Sequence, residues 1–269
     1  MTEKILDVLE QYYDTVPRRG GAWAEDFGPL TLFVQEGNGW SYYARPSLGG
    51  ADATLADVRK VLERQRELEV PEAFEWVAET SPSLRAAVEA AGLPVHAHPL
   101  MVLDAAAEPL APHPEVRALG VEDPLLAAAV TVAGLAFREP GTGLGQAGPA
   151  ELAAALADPS VEERRARVSG MLADGRTGMA AAVRDGVVLC SGQYNPVGSV
   201  AEVVGVGTLP AARRQGLALG VTAALVAQAL AAGATTVFLS AGDEDVARIY
   251  ARAGFRRVGT ALIAEPPAA

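Results

Sequence analysis

Lysine is almost missing from this chain. Of 22 basic residues two are lysine, Lys4 and Lys60, which leaves 20 arginines. Against 33 Asp and Glu the formal net charge is −11, which argues against a polyanion such as nucleic acid as the main partner. The same charge is compatible with a cationic or amine ligand. Cysteine occurs once, as Cys190, so no internal disulfide forms, which fits a reducing cytoplasm. Every apolar run is interrupted by charges or glycines before it reaches bilayer length, so no membrane span is expected. The first residues, Met-Thr-Glu-Lys-Ile-Leu-Asp-Val, lack the pattern of a secretory leader. Half of the 269 residues are hydrophobic, ample for one large domain or two small ones. The Arg excess with abundant Ala and Gly fits a GC-rich genome.

Residues 1–104 read as a first block. Ile5, Val8, Leu9 and Tyr12 have helical spacing, and Pro17-Arg18-Arg19-Gly20-Gly21 is expected to break the helix. Residues 30–34 and 40–45 read as strands around Glu36-Gly37-Asn38-Gly39, which is hairpin chemistry. Asp52 or Thr54 caps a helix over 55–68, with Leu55, Val58, Val61 and Leu62 inward. A strand at 74–78, a helix over 83–91 ended by Gly92, and a strand over 94–103 follow. Trp23, Trp40, Tyr42 and Tyr43 either pack this block or line a pocket, and packing is the default for large aromatics. His96 and His98 alternate on the last strand without a third ligand at metal spacing, so no metal site is expected.

Residues 105–115, Ala-Ala-Ala-Glu-Pro-Leu-Ala-Pro-His-Pro-Glu, form a Pro-rich linker in which His113 is expected to be solvated. A second block covers 116–269. Val116–Leu119 is a short strand, and Asp123-Pro124 starts a helix to Phe137, with Leu126, Val130, Ala133 and Phe137 on one face. Arg138 to Gly148 is a glycine-rich loop. Two helices, 149–157 and 161–172, precede a hairpin of 178–183 and 187–194 closed by Asp185-Gly186. Asn195-Pro196-Val197-Gly198 turns the chain into the stretch that organises the rest.

That stretch is a valine-rich strand from Glu202, a stop at Pro210, then Arg213-Arg214-Gln215-Gly216-Leu217-Ala218-Leu219 and a long apolar helix. The strand is β-branched and ends where proline cannot donate to a ladder. Unpaired N–H groups at the start of a helix lie at the positive end of its dipole and suit a diphosphate. The glycines fit neither a Walker loop nor a dinucleotide fingerprint, so spacing alone leaves an ordinary strand-to-helix turn equally open. The helix after Gly216 is apolar on nearly every side, which predicts burial on its own sheet and also under the first block or a second subunit, so a homodimer is among the expected partners.

Arg213-Arg214-Gln215-Gly216-Leu217-Ala218 resembles the Gln/Arg-x-x-Gly-x-Gly/Ala motif of the GNAT superfamily of N-acetyltransferases. Downstream, Asp243 to Phe255, with Tyr250 shortly before Gly254-Phe255, resembles that superfamily's tyrosine-bearing helix. The resemblance covers about residues 114 to 265 and is strongest from Glu202 to Val258. It implies an α+β fold with a central mixed sheet flanked by helices. The first block then reads as a shortened, degenerate copy in tandem, because 74–103 repeats the strand–helix–Ala-Gly–strand order of 237–264, with Val88 where Tyr250 stands. Its helix is approached by Gly49-Gly50-Ala51-Asp52, an acid where a phosphate would sit. Chance likeness of two β-α-β units is the competing explanation.

The resemblance further implies acetyl-CoA as co-substrate, no metal, and a small-molecule or peptide amine as acceptor, in the cytoplasm. Backbone groups of Val206 and Thr208 would pair with the pantetheine arm. The turn Arg213, Arg214, Gln215, Gly216, Leu217, Ala218 and Leu219 would hold the pyrophosphate. Tyr250 matches the phenol that protonates the leaving thiolate, and Glu202 the place where some members carry a general base. The loop 138–148 matches a segment that borders the acceptor. One departure is Asp243, where the family often has a cofactor-contacting Asn; it contacts cofactor or only caps the helix. A longer acyl-CoA or carrier-protein thioester as donor, or a non-catalytic acyl-CoA-binding protein, are the alternatives.

Overall fold

The structure, a computed structural model, describes residues 2–35, 42–111 and 113–267. It divides into two compact units, Met1–Leu100 with Arg257–Ala269, and Met101–Arg256. Both mix strands and helices, as the α+β reading expects.

In the first unit, α1 (Thr2–Arg19) buries Leu9, Tyr12 and Tyr13. The helix ends at Arg19, inside the stretch from Pro17 to Gly21 where the sequence places its break. A proline this late deletes only one helical bond, and Arg18 pairs back with Asp14 at 2.8 Å. Gly21, at φ 89°, completes the turn that ends the helix. Next come β1 (Trp23–Asp26), β2 (Leu30–Val34) and β3 (Ala44–Pro46). The expected hairpin turn at 36–39, and Trp40 and Ser41, lie outside the described residues; β3 begins later than the sequence suggested. Thr54 caps α2 (Leu55–Glu67) through a reciprocal box with Asp57, settling the choice against Asp52. Then β4 (Phe74–Val77), α3 (Leu84–Ala90) and β5 (Val95–Leu103) follow. Phe74, Trp76, Leu30, Leu32, Val58 and Val61 make the core, with Trp23 packed at its margin.

The second unit contains β6 (Val116–Leu119), α4 (Leu126–Arg138), α5 (Pro149–Ala155), α6 (Ser160–Ala173), β7 (Gly178–Arg184), β8 (Val187–Val197) and β9 (Val200–Thr208). After a 3₁₀ turn at Pro210–Ala212 come α7 (Leu217–Ala231), β10 (Thr236–Ser240), α8 (Glu244–Arg252) and the start of β11 (Phe255–Ala264), whose residues from Arg257 onward belong to the first unit. Strands β6 to β9 are antiparallel neighbours in sequence order, and β10 lies parallel to β9. The last residues of β11 pair with β4 of the first unit's sheet, Ala261 to Val77 through Ala264 to Phe74.

Four sequence expectations are corrected in this unit. The turn placed at Asn195–Gly198 falls later, since β8 continues through Pro196 and Val197. Pairing of β7 with β8 stops at Tyr194, so Pro196 sits where that side has no ladder to break. The buried stripe of α4 is Leu126, Ala129, Val132 and Leu135, leaving Phe137 61% exposed. Helix α7 is not buried all round: Leu217, Val221, Leu225 and Ala229 face the core, while Leu230 is 45% exposed. Its outer face is mostly alanine, which costs little in water. His113 is half-buried, not solvated; its Nδ1 accepts from the Glu115 N–H at 3.2 Å, and it rests on Gly220, where a Cβ would come within 2.6 Å of it.

Candidate active site

Strands β9 and β10 start together and then part. Their register is Thr236 to Val200, Val237 to Ala201 and Phe238 to Glu202. Beyond Glu202, β9 runs on for six residues to Thr208 with no further β10 partner among the described residues. Glu202 therefore stands, half-buried, at the vertex of an opening. A bulge adds to the divergence. Ser191 faces Gly207 while Gln193 faces Val204, so β9 holds one residue more than β8 over this step. Gly205 takes it up at φ 62°, a left-handed conformation that costs glycine little. Val206 and Thr208 follow on the freed stretch. On the far side α4 closes against β9: a Cβ at Gly207 would meet Ala133 Cα at 2.9 Å.

The chain then turns into α7. Arg214 has φ 64° and Gly216 φ 79°, two left-handed residues that swing the backbone round. The Gly220 N–H is the first to bond into the helix, reaching Gly216 O at 3.0 Å. That leaves the N–H groups of Leu217, Ala218 and Leu219 at the helix start without an intrahelical acceptor. Arg214, Gln215 and Gly216 are exposed, while the Leu217 side chain is 2% exposed and anchors the turn.

Arg213 behaves differently from its neighbour. Its guanidinium donates to three main-chain carbonyls, Gly143 O at 3.1 Å, Ala136 O at 2.9 Å, and Glu139 O. It thereby holds the C-terminal end of α4 and the glycine-rich loop. Glu139 organises the same loop from within, accepting from Gln146 N–H at 3.1 Å and Ala147 N–H at 3.0 Å. These two bonds, with the Arg213 charge adding, hold its carboxyl below the usual range. Sequence reading missed Glu139, because its partners are backbone amides that no residue pattern marks.

Helix α8 brings in Tyr250. Asp243 caps the helix, accepting from Val246 N–H at 2.8 Å, and thus has the capping role open to it from sequence. Tyr250 is 8% exposed and meets Phe255 edge-on at 6.1 Å between ring centroids. Burial, and secondarily the nearby Cys190, push its phenol well above the ordinary tyrosine range. Cys190 is fully buried and accepts a hydrogen bond from Thr208 Oγ1 at 3.2 Å. Cys190, whose charge Tyr250 feels, is thereby tied to Thr208 at the end of β9. Among the described residues no group of His, Cys, Asp or Glu stands together as a metal site, and no helix is long and apolar enough to cross a membrane.

The buried thiol has a measurable consequence. Burial pushes Cys190 up to about 12, while an unfolded chain ionises it near 9.0. A raised folded pKa gives stability that is complete below the unfolded value and is lost as pH climbs through the folded one. The melting temperature is expected to fall as pH rises from about 9 towards 12. Cys190→Ala should flatten that slope; an unchanged slope would mean that the thiol is not shielded.

Residues 150–255 match the model of the acetyltransferase (GNAT) family. This segment is a GNAT acetyltransferase domain. It runs from α5 to the first residue of β11 and contains the β9–β10 opening, the turn before α7 and Tyr250. Solved structures agree on the fold. A GCN5-related N-acetyltransferase from Kribbella flavida superposes with a TM-score of 0.71 at 24% identity, over 98% of this chain and 96% of that one. One from Sphaerobacter thermophilus gives 0.55 at 18% identity, over 78% and 66%. A tandem GNAT protein from the clavulanic acid biosynthesis pathway gives 0.54 at 16% identity, over 89% and 79%. A search of curated proteins finds no match. GNAT enzymes draw their acetyl group from acetyl-CoA.

Proposed function

We propose that the protein moves an acetyl group from acetyl-CoA to a primary amine of a small molecule or peptide by direct attack. The observation that carries this is the continuous feature in the second unit: β9 freed from β10 beyond Glu202, leading to left-over N–H groups at the start of α7. A pantetheine arm can add to the freed strand edge through main-chain groups of Val206 and Thr208, as an extra strand would. Its pyrophosphate can then take the N–H groups from Arg214 to Leu219 at the dipole's positive end, with the exposed Arg214 guanidinium beside it. Arg213 backs this turn from behind.

In the reaction the amine nitrogen attacks the thioester carbonyl, the C–S bond breaks, and the sulfur leaves as thiolate while the amine loses a proton. Glu202, at the vertex, is the proposed acceptor of that proton, directly or through water. Tyr250 is the proposed partner of the sulfur. Its raised pKa keeps the phenol protonated and a weaker acid than an ordinary thiol near 8.5, so it serves as a hydrogen-bond donor to the thiolate. Asp243, at the start of α8, is the remaining candidate for a cofactor contact.

Residues 1–104 are proposed as a shortened, degenerate GNAT-like domain, 105–115 as linker and 116–269 as the catalytic domain. The approach to α2 supports this. A cavity of about 380 Å³ there is lined by Asp7, Glu10 and Asp52, with no Arg or Lys among the described residues, a poor setting for a diphosphate. A cytoplasmic enzyme agrees with the lone, buried thiol.

Isothermal titration with acetyl-CoA and with CoA tests the donor site, with binding expected in the micromolar range. Thiol release over a panel of amines then tests catalysis. Failure with both nucleotides would redirect the reading to a longer acyl or carrier-protein thioester. Binding without turnover on any amine would favour a non-catalytic acyl-CoA-binding protein.

A further inference from the structure

We propose that Arg213 is a positioning residue: its side chain straps the glycine-rich loop to the phosphate-holding turn, so that the two behave as one piece. The inference rests on the reading of that turn as the donor site, and goes beyond it by giving Arg213 work on the opposite side. Arg213 stands two residues from Gln215 and one from Arg214, yet all three carbonyls its guanidinium reaches belong to α4 and the loop. A guanidinium has five donors in a fixed fork, and here it is satisfied by main-chain oxygen, without a phosphate.

The loop answers with bonds of its own. Gly145 N–H donates to Pro210 O at 3.1 Å, and Ala211 N–H donates to Ala147 O at 3.0 Å. Glu139 ties Gln146 and Ala147 inward, and its carboxylate sits in the field of Arg213. The glycines let the layers close. A Cβ at Gly145 would strike the Glu139 carboxylate and come within 2.7 Å of Pro210 Cβ, and one at Gly148 would lie 3.2 Å from Ala211 Cβ. The result is a short sandwich of turn and loop with Arg213 through its middle. Beside the strap stand two large exposed apolar side chains. Phe137 and Leu144, 61% and 67% exposed, each follow directly on a carbonyl that Arg213 holds, those of Ala136 and Gly143. Filling the donor turn is then felt by the loop, so acetyl-CoA should order the surface that presents Phe137 and Leu144.

Hydrogen exchange read by mass spectrometry tests this, because four of the amides involved have named acceptors: those of Gly145, Gln146, Ala147 and Ala211. In the free protein, Arg213→Gln should speed exchange over 145–147 by about tenfold or more, the scale expected for losing a few charge-assisted hydrogen bonds. Arg213→Lys should restore part of the protection, since it keeps the charge but loses the fork. Glu139→Ala, which removes both acceptor oxygens, should release Gln146 and Ala147 while leaving Gly145 slow. In the wild type, acetyl-CoA should slow exchange over both 145–147 and 214–219; in Arg213→Gln it should slow only the second. Unchanged loop exchange in Arg213→Gln would overturn the proposal. So would an acetyl-CoA affinity weakened about as much as in a variant of the turn itself, which would make Arg213 a phosphate ligand. If the wild type binds no acetyl-CoA, the donor-site reading fails, and the free-protein comparison still decides whether the strap exists.

Discussion

Gly216→Glu should lower acetyl-CoA affinity by about 100-fold or more, to the point where a calorimetric titration shows no measurable heat. Two effects add. Gly216 is held at φ 79°, where an L-residue is strained by roughly 1–2 kcal/mol. The new carboxylate would also stand at the exposed helix start proposed to hold a diphosphate, placing like charges together where the dipole favours one anion. The two are separable. Gly216→Asn tolerates the left-handed backbone and adds no charge, so it should lose less than about tenfold. Gly216 has open space around its Cα, so neither change should disturb packing, and a thermal melt within a few degrees of the wild type would confirm this. Full affinity in Gly216→Glu would mean that the turn before α7 does not hold the donor.

Tyr250→Phe should cut kcat about 100-fold while acetyl-CoA binding stays within a factor of about three, in line with the loss of one donor to a developing anion. The ring and its edge-on contact with Phe255 are kept, so the fold is not at stake. With whichever amine the thiol-release screen identifies, the pH profile gives a second check. Burial raises the Tyr250 pKa, so the phenol remains protonated throughout the neutral range, and the wild-type kcat should show no alkaline fall from this group below about 10. An acidic limb should remain, set by the amine and its base. Undiminished turnover in Tyr250→Phe would reduce Tyr250 to a packing residue.

Much of the scaffold was legible where local chemistry is strong. The Asp185-Gly186 hairpin, with φ of 51° and 78°, and the Thr54–Asp57 capping box are short-range devices, and each formed where its residues stand. Gly216 and Asp243 were legible for the same reason. What escaped depends on partners distant in sequence. Val203-Val204-Gly205-Val206 reads as plain strand, and only its alignment with β8 shows that Gly205 is an inserted residue. Arg213 carries the motif's charge, but the carbonyls it holds lie 70 to 77 residues away and belong to no side-chain pattern. Pro196 was overweighted: proline forbids a ladder bond, but the pairing of β8 with β7 already stops at Tyr194.

The strand β11 carries a consequence for how the polypeptide is made. Phe255 lies in the core of the second unit, whereas Leu262 and Ala264 lie in the core of the first, and the first unit takes its last segment from Arg257 onward. On the ribosome, the opening hundred residues emerge long before that segment and must wait, one strand short, while the whole second unit is synthesised. The first unit is therefore the later of the two to be finished, although it is the earlier to be translated. Cutting the gene near Leu100 would not yield two working halves, and a premature stop near Arg257 would damage the unit whose opening residues lie furthest from it in the message.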